Sequence, residues 1–325
     1  MKGKQEAGGT SGFMSVFGRT QFRELPILIY ILLMIVFFSF TIPGFWAVRN
    51  FENISRQIAV VGIISTGMTL VILTGGIDLS VGSILAFAIS IGGAGIPLGR
   101  SIWVVYPTIL LLGTILGLVN GILITRISVP ALIITLGTMN IFRGITMVVT
   151  RGIYITPIPF AYMTIGRRYT PFIFLLIVIG VFIFITLRTR FGRNLYAIGG
   201  GEQASLYSGV PVVRNKILVY TISGFLSAFA GLILVGRSGF IQPQAGLGYE
   251  MNAIAAVVVG GTSIFGGTGS VLGTFFGATL MGLILTGLTM RAVDPYWQGL
   301  VTGILVILAI SIDSLRQMKS RSISS

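Results

Sequence analysis

The chain has 325 residues, of which 54% are hydrophobic and only 9% are charged, whereas an ordinary soluble domain has about 25% charged residues. This composition indicates a membrane protein. The absence of cysteine and histidine removes thiol nucleophiles, histidine bases and the usual zinc ligands, so we expect neither catalytic residues nor a metal site. The formal net charge of +14 comes from basic residues between apolar runs, which argues against nucleic acid as a partner.

A polar stretch at residues 1–25 opens the chain, and we predict that it is a cytoplasmic tail. Ten apolar runs follow as candidate membrane spans, at 27–46, 57–74, 80–98, 102–124, 131–149, 170–188, 216–236, 251–267, 270–289 and 296–313. Only helices and closed barrels satisfy every backbone hydrogen bond in lipid, and these runs are too long for barrel strands. The sequence therefore predicts an all-α integral membrane fold of about ten transmembrane helices, with a membrane domain over 26–315.

Orientation follows from the loops between the runs. Lysine and arginine are more numerous in the loops on the side of the N-terminus, and this excess marks the cytoplasmic side. We therefore predict that both termini are cytoplasmic, with a C-terminal tail at 316–325 and a long cytoplasmic loop at about 188–215.

The segment LTGGIDLSVGS, residues 73–83, places Asp78 between two apolar runs. We predict that Gly75 and Gly76 break a helix here, and that Asp78 and Ser80 cap the next one, because carboxylate and hydroxyl oxygens accept bonds from free N–H groups at a helix start. The alternative is a transport role, with Asp78 carrying a proton or cation, since an ionisable residue inside a membrane is a functional candidate.

A related pattern occurs 191 residues later, where FGGTGSVLGTF at 265–275 places Gly266 and Gly267 over the first glycine pair. This predicts a second helix break and a possible internal repeat, as in many transporters, although chance matches between glycines are an open alternative. Glycines also recur every four residues, which predicts close helix packing. The two sets are Gly113, Gly117 and Gly121, and Gly269, Gly273 and Gly277.

Arg143 is the other charged residue inside a predicted span. It lies close enough to the predicted outer end for its side chain to reach the interface. We expect it to reach water or to pair with another group, and substrate binding is the alternative.

Four segments together resemble a known family. They are LTGGIDLSVGS (73–83), VPALIITLGTMNIFRGI (129–145), FGRNLYAIGGGEQASLYSGV (191–210) and GYEMNAIAAVVVGGTSIFGGTGSVLGT (248–274). They are similar to the membrane permeases of bacterial ABC monosaccharide importers, which include ribose, xylose, galactose and autoinducer-2 permeases, and the ribose type is the nearest match. The resemblance implies a multi-pass permease of the bacterial inner membrane, not an enzyme, that moves a monosaccharide such as ribose into the cytoplasm by alternating access.

The same resemblance implies partners. They are a second permease copy in a homodimer, a cytoplasmic sugar-type ABC ATPase, an extracytoplasmic sugar-binding protein, the monosaccharide and the surrounding lipid. ATP and Mg²⁺ are expected on the ATPase, because the four lysines of this chain lie outside any glycine-rich phosphate loop. Two alternatives stay open: an ion-coupled secondary transporter that uses Asp78, and an ABC permease for nucleosides or branched-chain amino acids.

The cytoplasmic loop resembles the ATPase-docking pattern of such importers, Glu-Ala-Ala, three residues and glycine. The candidate coupling residues are Glu202, Gln203, Ala204, Ser205 and Gly209. Gln203 takes the position of the usual glutamate, and the acidic residue stands one position early, which departs from the pattern. An ordinary basic surface loop is the alternative.

The candidates for the translocation region are the polar intramembrane residues Asp78, Ser80, Asn120, Thr135 and Asn140. A sugar in transit needs hydroxyl, amide or carboxylate partners. Serine and threonine in membrane helices more often bond to their own backbone, which is the competing interpretation.

Overall fold

The computed structural model of the chain describes residues 25–127, 129–294, 297–308 and 310–311. Within these ranges the secondary structure is helical, apart from turns, short 3₁₀ segments and one isolated bridge between Ile155 and Ile241. In chain order the helices are α1 Leu25–Thr41, α2 Val48–Leu73, α3 Val81–Gly92, α4 Ile102–Arg126, α5 Ala131–Thr150, α6 Phe160–Met163, α7 Thr170–Arg188, α8 Arg190–Gly200, α9 Glu202–Tyr207, α10 Val212–Ser238, α11 Tyr249–Val259, α12 Val271–Met290 and α13 Trp297–Leu308. The predicted all-α membrane fold is confirmed.

Six of these helices are long and apolar enough to cross a membrane: α2, α4, α5, α7, α10 and α12. Four shorter apolar helices, α1, α3, α11 and α13, occupy the remaining predicted runs. The cytoplasmic placement of the termini stays a prediction. The predicted tails lie outside the described residues, except that Leu25 already belongs to α1.

Two predicted boundaries are wrong for identifiable reasons. Helix α2 begins at Val48 rather than near residue 57, because its first turns tolerate charge: Arg56 and Glu52 pair at 3.3 Å, one helical turn apart. Helix α11 ends at Val259 rather than near residue 267, because the chain turns at Gly261, whose φ is +87°.

Helix α2 lies at the centre of the fold, with most of its residues buried. It packs against α10, α12, α11 and α7, while α10 lies along α4. The α4–α10 pair meets at the first predicted glycine stripe. A methyl group at Gly117 would lie 3.0 Å from the Gly224 Cα, and one at Gly121 would lie 2.8 Å from the Ile217 Cα, so the close approach is confirmed.

The second stripe is only partly helical. Gly273 and Gly277 face the end of α11, where a methyl group on Gly277 would lie 2.8 Å from the Ala256 carbonyl carbon. Gly269, however, precedes α12, which begins at Val271. Its φ of +154° makes it part of the irregular segment before that helix, so its assignment to the stripe is wrong.

Candidate functional site

Asp78 lies fully buried in the break between α2 and α3. Its Oδ1 accepts hydrogen bonds from the Ser80 N–H at 3.0 Å and the Ser80 hydroxyl at 2.6 Å, and its Oδ2 accepts one from the Ser223 hydroxyl of α10 at 3.0 Å. A buried carboxylate is costly unless it is bonded, and here three donors satisfy it. The carboxylate therefore ties the break to α10.

The predicted capping of α3 is wrong for both Asp78 and Ser80, because neither side chain accepts a hydrogen bond from a backbone N–H of the helix itself. Helix α3 begins at Val81, and Ser80, at the N-cap position, makes no side-chain capping bond. Asp78 instead accepts the Ser80 N–H across a local turn of the kind that aspartate favours. The Ser80 hydroxyl links two elements, because it donates to Asp78 and accepts from Asn120 Nδ2 of α4 at 2.7 Å.

Two further polar atoms close to this cluster have no hydrogen-bond partner among the described residues. They are the Asn120 Oδ1 and the Tyr220 hydroxyl, and both side chains are almost fully buried. The Tyr220 hydroxyl lies against Gly76, since a methyl group there would overlap it. Tyr220 was missed by sequence reasoning, because only the packing of α10 on the break brings it there.

Thr135 and Asn140, the candidates on α5, differ in position. Thr135 is buried, and its single hydroxyl proton is shared between the Ile77 carbonyl, 3.1 Å away, and the Ala131 carbonyl of its own helix, 3.0 Å away. It therefore holds the break in place. Asn140 is exposed and bonds to the Leu136 carbonyl at 3.0 Å, within its own helix. The structure brings Thr135 to the Asp78 break and does not bring Asn140 there.

The two glycine pairs meet each other and a third pair. The Gly267 N–H donates to the Leu73 carbonyl at 3.0 Å, and a methyl group on Gly266 would lie 2.8 Å from the Gly75 nitrogen. The last residues of α8, Gly199 and Gly200, lie against the same point. We call this contact of residues 75–76, 199–200 and 266–267 the glycine junction.

Helix α8 is also bonded directly to the second break, because the Tyr196 hydroxyl donates to the Gly269 carbonyl at 3.1 Å. The two breaks share an architecture: each lies between apolar helices, and a serine stands at the N-cap position of the helix that follows. At the second break Ser270 does cap the helix, because its hydroxyl accepts a hydrogen bond from the Gly273 N–H at 2.8 Å. The origin of the two breaks by an internal duplication stays a prediction.

The predicted coupling loop is helical. Residues 190–200 and 202–207 form α8 and α9, and α9 ends in the motif expected for a glycine stop. The Gly209 N–H donates to the Leu206 carbonyl, the Val210 N–H donates to the Ser205 carbonyl, and Gly209 has a φ of +79°. Gly209 therefore ends α9.

The other candidate coupling residues lie on the short helix α9. Glu202, Gln203 and Ala204 are exposed, while Ser205 is buried. Glu202 pairs with Lys216 of α10 at 2.6 Å, which fixes the start of α9 against the next helix. Glu202 is half exposed, so the pair adds little stability and mainly sets position.

Broken apolar helices that meet beside a buried polar cluster in an all-helical fold are typical of membrane transport proteins. Residues 50–310 match the family model described as branched-chain amino acid transport system / permease component, and the chain belongs to this family of permeases. With the apolar helices, this membership confirms the predicted multi-pass inner-membrane localisation.

Several curated relatives match over nearly the full chain. The ribose import permease protein of Haemophilus influenzae is 42% identical, covering 90% of this chain and 93% of the relative. The ribose import permease protein of Bacillus subtilis is 40% identical, covering 90% and 92%. The xylose transport system permease protein of Escherichia coli is 32% identical, covering 97% and 96%. No solved structure matches this chain.

Proposed function

We propose that this chain is the translocation subunit of an ATP-driven importer that carries ribose into the cytoplasm. The observation that carries the proposal is its 42% identity to a ribose import permease over 90% of its length. The buried cluster around Asp78 supports translocation rather than catalysis, because it lies at a helix break within apolar helices.

The α8–α9 segment is proposed to dock on the partner ATPase, which would bind ATP and Mg²⁺. Its surface offers large apolar groups, since Leu206 is 59% and Tyr207 is 88% exposed. Helix α8 contacts the glycine junction through its last residues, Gly199 and Gly200, which directly precede α9, so a displacement of α9 is transmitted over a short distance to both helix breaks. A second permease copy, an extracytoplasmic sugar-binding protein and membrane lipid complete the proposed assembly.

Ribose uptake tests the proposal directly. In a host strain without its own ribose permease, we expect this chain, together with its ATPase and binding protein, to restore ribose accumulation. Accumulation should stop when the ATPase is inactivated and continue when an ionophore collapses ion gradients. Uptake that follows the ion gradient instead would favour a secondary transporter, and uptake of leucine but not ribose would favour an amino acid permease.

Replacing Gly209 should separate folding from coupling. Gly209→Val forces a β-branched residue into a left-handed backbone, at a local cost of about 1–2 kcal/mol, without a steric clash, since no atom lies within 4 Å. We expect the variant to insert and fold, but to copurify at least tenfold less ATPase and to lose uptake. Gly209→Asn should restore most of both, because asparagine tolerates this conformation.

The matched control is Gly99→Val. Gly99 has a φ of +73° and no atom within 4 Å of an added methyl group, but it lies between α3 and α4. The Gly99→Val permease should copurify as much ATPase as the parent permease does. Equal ATPase binding by the Gly209 and Gly99 variants would contradict the docking assignment.

A further inference from the structure

A cavity of about 270 Å³ opens beside the segment that joins α10 to α11. Its lining includes Phe240, Gln242 and Gln244 of this segment, Ile89 of α3, Ser238 of α10 and Tyr249 of α11. We call it the glutamine pocket. Its volume lies near the lower end of small-molecule sites, so it suits a ligand of one ring rather than a larger one.

The walls of the pocket are held by α5 and the connection that follows it. Arg143 Nη1 donates to the Ala245 carbonyl at 2.8 Å, so Arg143 pairs with the backbone of the pocket segment. Ile155 and Ile241 exchange two backbone hydrogen bonds, at 3.0 and 3.1 Å. The rings of Tyr154 and Phe240 stack with centroids 5.6 Å apart and planes within 3°. The pocket is therefore formed before any ligand enters.

The pocket segment also reaches the break that contains Asp78. The Gly246 backbone packs on Gly82 in the first turn of α3, where a methyl group would overlap the Gly246 carbonyl oxygen and lie 2.7 Å from Glu250 Oε2. Ile89 of the pocket is on the same helix. The pocket and the helix break thus share α3, which places the pocket beside the proposed translocation region.

The chemistry of the lining selects the ligand class. The side-chain amides of half-buried Gln242 and exposed Gln244 form no hydrogen bond with any described residue, so a ligand competes only with water for their donors and acceptors. No aspartate, glutamate, lysine or arginine is among the lining residues. A zwitterionic amino acid finds no side chain of opposite charge in this lining, whereas a neutral polyol can exchange its hydrogen bonds to water for bonds to the amides and lay its carbon face on an aromatic ring.

We propose that the glutamine pocket is a binding subsite for a neutral monosaccharide on the translocation path of the permease. This rests on the proposed function and narrows it, because it assigns the contact with the sugar to named residues of the segment between α10 and α11. Gln242 and Gln244 supply the specificity for hydroxyl groups.

The chain has no cysteine, so one introduced thiol can report on the pocket. Leu247 lines it and is 74% exposed, which makes Leu247→Cys accessible to a maleimide. In membranes that contain the full-length permease, we expect D-ribose, or D-xylose or D-glucose at millimolar concentration, to slow labelling at least threefold. L-leucine should have no effect. The control Leu98→Cys, at a 79% exposed position between α3 and α4 that does not line the pocket, should label at the same rate with or without sugar.

Adding Gln244→Leu to the Leu247→Cys chain should remove the protection, whereas the same change at Gln298 of α13 should keep it. Protection by leucine, or labelling that no sugar changes, would overturn the subsite. Ribose uptake by the parent importer is measured separately. Normal uptake without protection rejects the pocket alone, and failed ribose uptake with protection by another sugar supports the pocket and rejects ribose as the cargo.

Discussion

Gly199→Ala should abolish transport, whereas Gly200→Ala, one residue later in the same helix, should leave it intact. A methyl group on Gly199 would overlap the Leu73 carbonyl oxygen and the Gly267 nitrogen, and it would lie 2.9 Å from the Gly267 Cα. These are backbone atoms at the two helix breaks, so no side-chain rotation relieves the overlap. A methyl group on Gly200 has no atom within 4 Å.

The expected cost at Gly199 is about 3 kcal/mol, at the upper end for overpacking, because the strain falls on three backbone segments together. The measurements are ribose uptake in cells and the melting temperature of the purified permease in detergent. If the variant folds but transports nothing, the glycine junction acts in coupling. If it does not fold, the junction is needed for the fold. Wild-type uptake and melting in Gly199→Ala would contradict the geometry of the junction.

Asp78→Leu should prevent the permease from folding, and Asp78→Asn should preserve both folding and most of the uptake. The leucine variant leaves the Ser80 N–H, the Ser80 hydroxyl and the Ser223 hydroxyl without their acceptor in a fully buried site. Each unpaired donor costs about 1–3 kcal/mol, so the total reaches about 3 kcal/mol or more.

Asparagine keeps an oxygen for the two bonds from Ser80, and its NH₂ group can donate to the Ser223 hydroxyl, which rotates to accept. The yield of folded protein and the initial rate of ribose uptake check both variants. A well-folded Asp78→Asn permease without transport would contradict the structural role and support a carboxylate that carries a proton or cation.

Ser223→Ala is the companion variant. It removes one of the three hydrogen-bond donors to Asp78, so we expect it to lower the free energy of unfolding by about 1 kcal/mol and to retain uptake.

The helical membrane fold could be predicted from the sequence because continuous apolar runs have one stable form in lipid. The runs at 57–74 and 170–188, for example, have no other way to satisfy their backbone groups. The helix boundaries were harder. Glu52 and Arg56 interrupt the apolar pattern at the start of α2, yet they pair along one face of the helix and do not end it.

The sequence identified some residues of the site, but not the contacts that they make with other helices. Asp78 stands out locally, because charged residues are rare within apolar helices. Ser223 and Tyr220 carried no comparable signal. They join the cluster only because α10 packs on the break. Ser223 lies 145 residues along the chain from Asp78, so no local pattern links the two.

The sequence by itself determined the class of fold, the two glycine breaks and the family, since each depends on composition, local backbone geometry or an ordered set of motifs. Only the tertiary structure decided that the breaks touch each other and α8, that Asp78 bonds to Ser223, and that Gln242 and Gln244 line a pocket without charged residues. The physical reason is that glycine permits close backbone approach without specifying the partner, and that partner is set by how whole helices pack.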